Sequence, residues 1–239
     1  DSYAFALLIG WINSLKVIFL GLSLSTILGL ITGIARSSKI SLLKSLSSFY
    51  IALIRQIPLL IQLLFWYFVA FLSISETPLK PLGNLIVISN QSINILGLDL
   101  SVEFTSLLIG LTVFTGASIA EIVRGGINSV PIGQWEAFRS IGLKESTGIF
   151  RVIIPQSLPA IIPGLTSQYL NLAKNSTLAI AIGYSDIYAV SDTAITQTGR
   201  AIEGFIILLL SFFLLNIIIN KIMSFINRFV NRYKEDRVC

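Results

Sequence analysis

The 239-residue chain is 54% hydrophobic and 12% charged, against about 25% charged residues in ordinary soluble domains; with a mean hydropathy of +0.83 it belongs in a membrane. Its net charge of +5 is scattered and not clustered with stacking aromatics, which argues against a nucleic-acid partner. Histidine is absent and Cys239 is the single cysteine, so no intrachain disulfide can form, and zinc, haem and iron–sulfur ligation are disfavoured.

A membrane span requires about 20 mostly apolar residues. In chain order five stretches qualify, near 12–35, 49–74, 104–123, 152–172 and 205–225. A weaker apolar piece at 178–190, interrupted by Gly183, Tyr184, Ser185 and Asp186, is too short to cross and reads as a re-entrant or surface helix. Basic residues near span ends stay cytoplasmic. The first connection carries Arg36, Lys39 and Lys44 with no acid, and the tail is rich in Lys and Arg. The connection at 75–102 and its flank carry Lys80 against Glu76, Asp99 and Glu103. The N-terminus is therefore expected outside and the C-terminus in the cytoplasm, with the whole of 1–239 one all-α transmembrane domain, an external loop at 75–102 and a cytoplasmic loop at 124–151.

That cytoplasmic loop belongs to a polar, glycine-punctuated island, EIVRGGINSVPIGQWEAFRSIGLKESTGIFRVIIP, from Glu121 to Pro155. Pro131 and Gly133 break the preceding helix, 134–141 is helix-compatible, and Gly142 stands where a helix commonly ends in the left-handed conformation. Glu136 and Arg139, three apart, share one helix face, and Trp135, Phe138 and Ile141 form another. Glu121 and Arg124 are spaced to pair with each other. The chain lacks the GxxxxGK[ST] loop that cradles nucleotide phosphates, so any ATP must be hydrolysed by another subunit.

The order Glu136-Ala137-Phe138, three residues, Gly142, nine residues, Val152-Ile153-Ile154-Pro155 resembles the EAA loop of ATP-binding-cassette importer permeases, with Phe138 in place of the second alanine. Ala120 to Gln134 is similar to the AEIxRGGIxSVPxGQ pattern of the amino-acid branch. The segment from Arg55 through Pro58 to Phe68 is similar to its RxxPLLxQLFFxYF segment, and Lys174-Asn175-Ser176-Thr177-Leu178 to its K-x-(S/T)-(S/T)-L segment. The resemblance implies a type I importer permease of five spans with a cytoplasmic coupling helix, in the bacterial inner membrane. It implies as partners a dimer of ATPases, a second permease, a paralogue rather than an identical copy, an extracytoplasmic amino-acid-binding protein and the membrane lipid. This chain is expected to bind no cofactor; ATP and Mg belong to the partner ATPase. Gln134, Trp135, Glu136, Ala137, Phe138, Arg139 and Gly142 are the expected coupling residues, with no catalytic or metal-ligating residue.

Amides and charges inside spans are costly and face a cavity or another helix. Gln168, Asn171 and Asn175 fall on one face of the fourth span with Lys174 beside them, and Gln62 and Trp66 make a second face on span two. These six are the candidate substrate pathway. Two other roles stay open: the amides as hydrogen-bonding glue between helices, and Lys174 as a snorkelling lysine. Pro155, Pro159 and Pro163 are expected to weaken the start of the fourth span. The competing reading is a stand-alone ion-coupled carrier, which would need paired inverted repeats and a buried carboxylate in a span.

Overall fold

The computed structural model of the chain describes residues 2–73, 79, 81, 86–89, 92–95 and 97–235; Glu76, Lys80 and Cys239 lie outside them. Helix α1 runs Ser2–Arg36, about 52 Å at 1.5 Å per residue, longer than the apolar stretch expected. Its hydroxyl residues do not interrupt it, because Ser23, Thr26 and Thr32 each donate to the carbonyl four residues back, of Phe19, Leu22 and Leu28. In a membrane such groups need an internal acceptor.

The expected second span is a broken one. Helix α2 (Ser41–Gln56) and α3 (Leu59–Leu64), which continues as a π-helical turn over Phe65–Phe71, meet at 104°. Pro58 is the cause: the residue before a proline is pushed out of the helical region, and Ile57 is extended at φ −98, ψ 126. Beyond it, β1 (Ile86–Ile88), β2 (Ser92–Ile95) and β3 (Leu98–Ser101) form an antiparallel three-stranded sheet in the order β1-β2-β3. The all-helical expectation missed this sheet, which stands on the expected external loop. Helix α4 (Val102–Asn128) follows at once, capped by the Ser101 hydroxyl accepting from Phe104 N–H at 3.2 Å.

In the expected cytoplasmic loop come α5 (Ile132–Ser140) and α6 (Glu145–Gly148). A π-helical turn, Ile149–Ile153, then leads into α7 (Ile154–Asn175), which tightens to a 3-10 segment over Ser176–Ile182. Pro155, in the first turn of α7 directly after the π-helical turn, lies with Pro159 and Pro163 in a helix that stays continuous. The expected short helix at 178–190 is divided. Its first part extends α7, Gly183 turns left-handed at φ 74, and a separate helix α8 runs Ile187–Thr198. Helix α9 (Ala201–Glu235) closes the chain. With the bent pair taken as one span, five crossings result.

Helix α4 is the centre, packed by α1, α2, α3 and α7. Between membrane helices the attraction comes from close van der Waals contact, so small residues collect at the seams. A Cβ on Gly29 of α1 would collide with Ile119 of α4, and one on Gly33 with Val123. Gly126 of α4 receives Ile161 of α7 just as closely. Large exposed apolar side chains such as Phe19 and Ile31 on α1, and Phe205, Leu209 and Phe213 on α9, mark the lipid-facing flanks.

Near its N-terminal end, α1 clasps the turn between the 3-10 segment and α8. Asn13 Nδ2 donates to the Ser185 carbonyl at 3.0 Å and the Ser14 hydroxyl accepts from Ile187 N–H at 3.0 Å. Asp186 caps α8 by accepting from Ala189 N–H at 2.8 Å.

Candidate functional site

Helix α5 is the short folded element expected in the cytoplasmic loop, beginning at Ile132, two residues earlier than expected. Pro131 precedes it at φ −55, already set for helix entry. Its C-terminus is closed by two reversed hydrogen bonds, Leu143 N–H to the Phe138 carbonyl at 3.2 Å and Gly142 N–H to the Arg139 carbonyl at 3.0 Å. Gly142 sits at φ +73. This is the Schellman arrangement, in which a left-handed residue after the helix lets the chain turn back and satisfy its last carbonyls.

The faces of α5 divide differently from the sequence expectation. Phe138 is buried to 2% exposure, and its ring occupies the space over Gly148, where an added Cβ would overlap the ring carbons. An aromatic side chain can thus stand where the family pattern has alanine, because the opposing residue has no side chain. Trp135 is half-buried beside it, ring centroids 5.9 Å apart. Ile141, expected on the same face, lies past the last helical turn and is 73% exposed. Arg139 does not reach outward with Glu136: its Nη2 lies 2.8 Å from Glu145, and its guanidinium covers the Trp135 and Phe138 rings at 5.5 and 5.4 Å. Lys39, from the α1–α2 connection, reaches the same carboxylate at 3.1 Å. Gln134, Glu136 and Ala137 remain exposed, with Gly142. Gln134 also accepts a hydrogen bond from Gln156 of α7 at 2.9 Å, a link the sequence did not reveal.

A second ionic cluster lies toward the C-terminal end of α4. Glu121 pairs with Arg124 at 3.0 Å, as its spacing suggested, and also with Arg36 at the end of α1, while Arg55 of α2 lies at 3.9 Å. One carboxylate joins the C-terminal parts of three helices, α1, α2 and α4.

Of the six pathway candidates, four share α7. Gln168 and Asn175 are half-buried, and Asn171 and Lys174 are exposed. Their side chains form no hydrogen bond or ion pair among the described residues. They extend into a longer exposed stripe of Gln156, Ala160, Pro163, Ser167, Asn171 and Lys174, which repeats at helical spacing and contrasts with the aliphatic and aromatic flanks of α1 and α9. Gln62 is used differently. It is buried, and its Nε2 donates to the carbonyls of Ile54 and Ile57, both at 2.9 Å. These carbonyls lie at the break between α2 and α3, where helix ends leave acceptors unmatched. Trp66 is half-buried and lies near Gly110 of α4. The signal for Gln62's role was Ile57-Pro58 just before it. Among the described residues no group of three or more His, Cys, Asp or Glu is arranged to hold a metal.

Spans packed on a central helix, with a capped helix projecting on the side bearing the basic connections, define a multi-pass membrane protein. Residues 25–232 match the model of the binding-protein-dependent transport system inner membrane component, and the chain belongs to that family. It is 33% identical to the putative amino-acid ABC transporter permease protein YhdX of Escherichia coli K12 over 95% of this chain and 79% of that protein. It is 34% identical to the general L-amino acid transport system permease protein AapQ of Rhizobium johnstonii, over 95% and 77%. Its fold is similar to that in a crystal structure of an amino acid ABC transporter with histidines, at TM-score 0.73, 30% identity and 95% coverage of both chains. The inward-facing MetNI methionine ABC transporter shares the fold at TM-score 0.74 and 18% identity, over 96% of this chain and 98% of that one. The chain is therefore a multi-pass, inner-membrane permease subunit of an ATP-binding-cassette importer with the type I fold, and the stand-alone carrier is set aside.

Proposed function

We propose that this permease imports amino acids by alternating access, driven through α5 by an ATPase dimer that binds ATP and Mg, and supplied by an extracytoplasmic amino-acid-binding protein. The observation that carries the coupling role is the mounting of α5. Phe138 is pinned against Gly148, Gly142 closes the helix, and Gln134 is joined to Gln156 at the root of α7. Movement of α5 by a partner is thereby transmitted to α7 without passing through a flexible loop. Exposed Gln134, Glu136, Ala137 and Ile141 meet the ATPase, with Ala137 small enough for close approach; Trp135, Phe138 and Arg139 hold the helix on its seat. ATP shifts the inward–outward equilibrium only as far as the ATPase dimer's closed form favours one of the two states.

The α7 stripe faces the substrate path and a second permease, a paralogue of this chain. The side chains of Gln168, Asn171, Lys174 and Asn175, without partners among the described residues, would be costly against lipid. Gln168, Asn171 and Asn175 offer amide donors and acceptors to an amino-acid zwitterion, and Lys174 attracts its carboxylate. Trp66 supplies an aromatic face, while Gln62 serves the pathway by holding the broken second span. The test is ATP-driven uptake of labelled amino acids by the reconstituted complex. Gln168→Ala and Asn171→Ala are expected to lower the rate or change selectivity while ATPase assembly persists; unchanged rate and selectivity in both would remove the site.

A further inference from the structure

A cavity of about 1130 Å³ opens beside the coupling helix, and neither the docking face nor the α7 stripe uses it. Its walls are the last turns of α1 (Ile27, Leu30, Ile34), the start of α2 (Leu43) and the π-helical turn (Ile149, Phe150). Trp135 closes one side, and its rim carries Lys39, Arg139 and Glu145. The stretch of α1 from Ile27 to Arg36 is about 14 Å long, close to one leaflet of a hydrocarbon core about 30 Å thick. Ile27 and Ile31, at 56% and 62% exposure, leave the deep part open to the membrane. Ile154, which also lines it, lies about 200° around α7 from Gln156 of the polar stripe, so this is not the pathway side. Two cations against one carboxylate leave the rim positive, and the Lys39 side chain is 69% exposed although it touches Glu145.

We infer that this cavity is a site for an anionic glycerophospholipid of the inner leaflet, with an acyl chain against Leu30, Ile34, Phe150 and Trp135 and its phosphate at Lys39. Apolar walls one leaflet deep fit a lipid chain, and the positive rim at the cytoplasmic end selects a negative headgroup. Because Trp135 and Arg139 belong to both the cavity wall and the seat of α5, a bound lipid braces the coupling helix from the membrane side.

The test uses the assembled importer with Trp11→Phe and Trp66→Phe, so that Trp135 is the permease's remaining tryptophan, and with the ATPase, second permease and binding protein rendered free of tryptophan. The complex is placed in nanodiscs of phosphatidylcholine containing a small fraction of dibrominated phosphatidylglycerol or, separately, dibrominated phosphatidylcholine. Bromine in the cavity quenches Trp135. The glycerol lipid is expected to quench at a several-fold lower mole fraction than the choline lipid, and Lys39→Ala to reduce that preference by about fivefold, the worth of one lysine near an anionic lipid. No quenching by either lipid, or equal quenching by both, overturns the proposal. Native mass spectrometry of the unsubstituted complex gives an independent reading: retained phosphatidylglycerol, depleted by Lys39→Ala, is expected, and none retained overturns it. Neither readout depends on transport, so failure here is distinguishable from failure of the coupling assignment.

Discussion

Asp186 shows how much one side chain can be constrained by its surroundings. It lies in the turn before α8 and is almost fully buried; burial pushes its carboxyl up to about 6 from 3.8. One oxygen caps α8, while the other has no hydrogen-bond partner among the described residues. Because the folded state holds the proton more tightly than the unfolded one, this group's contribution is most favourable below about pH 4 and is lost as pH rises through about 6. Asp186→Asn keeps a capping oxygen of equal quality and cannot ionise. Its stability relative to the parent protein should therefore improve by on the order of 2 kcal/mol between pH 4 and pH 7.5, read as thermal unfolding of the purified permease complex at the two pH values; parallel curves would refute it. Phe138 is the corresponding case at the coupling helix. Phe138→Ala empties the space over Gly148, a change that costs about 3–5 kcal/mol in well-packed cores. The α5 segment should become protease-sensitive and uptake should fall, whereas Phe138→Leu should retain most of both.

At the scale of elements, the helix ends carry the argument. Gly142→Pro demands φ near −65° where the chain has +73°, and removes the N–H that reaches the Arg139 carbonyl. Membrane insertion should be normal while ATP-driven uptake is lost and ATP hydrolysis no longer responds to the binding protein; retained coupling would refute the assignment of α5. The α1–α4 seam makes a separate prediction. Gly33→Leu has no room beside Val123 and the Ala120 carbonyl, so α1 must part from α4 and disturb the Arg36–Glu121 contact. Yield of folded permease should drop steeply on size-exclusion chromatography, with Gly33→Ala falling between.

For the whole molecule, the unequal surfaces decide how the chain is used. Flanks of exposed aliphatic and aromatic side chains suit lipid, and the α7 stripe from Gln156 to Lys174 does not. If that stripe faces a second permease across the path, then with Cys239→Ser in place, single cysteines at Asn171 and at the matching helix of the partner should form a disulfide under mild oxidation, with a yield that changes when ATP is trapped in the ATPase. Leu209→Cys, on the lipid-facing side of α9, is the control and should stay uncrosslinked. Equal cross-linking from both positions would remove the stripe from the interface.

Much of this was legible in the residues themselves. Apolar run length located four to five candidate crossings, and the Pro131-to-Gly142 punctuation marked a short helix with a left-handed end, because spans and caps depend on local composition and backbone preference. Tertiary structure decided what locality cannot express. Gln62 proved to serve the backbone at the α2–α3 break, Arg139 turned to Glu145 instead of outward beside Glu136, and Gly148 made room for Phe138. Gly183 separated α8 from the end of α7, a division that hydropathy alone blurred. Each of these depends on which groups meet across the fold, and a side chain's partner is fixed only when distant segments have packed.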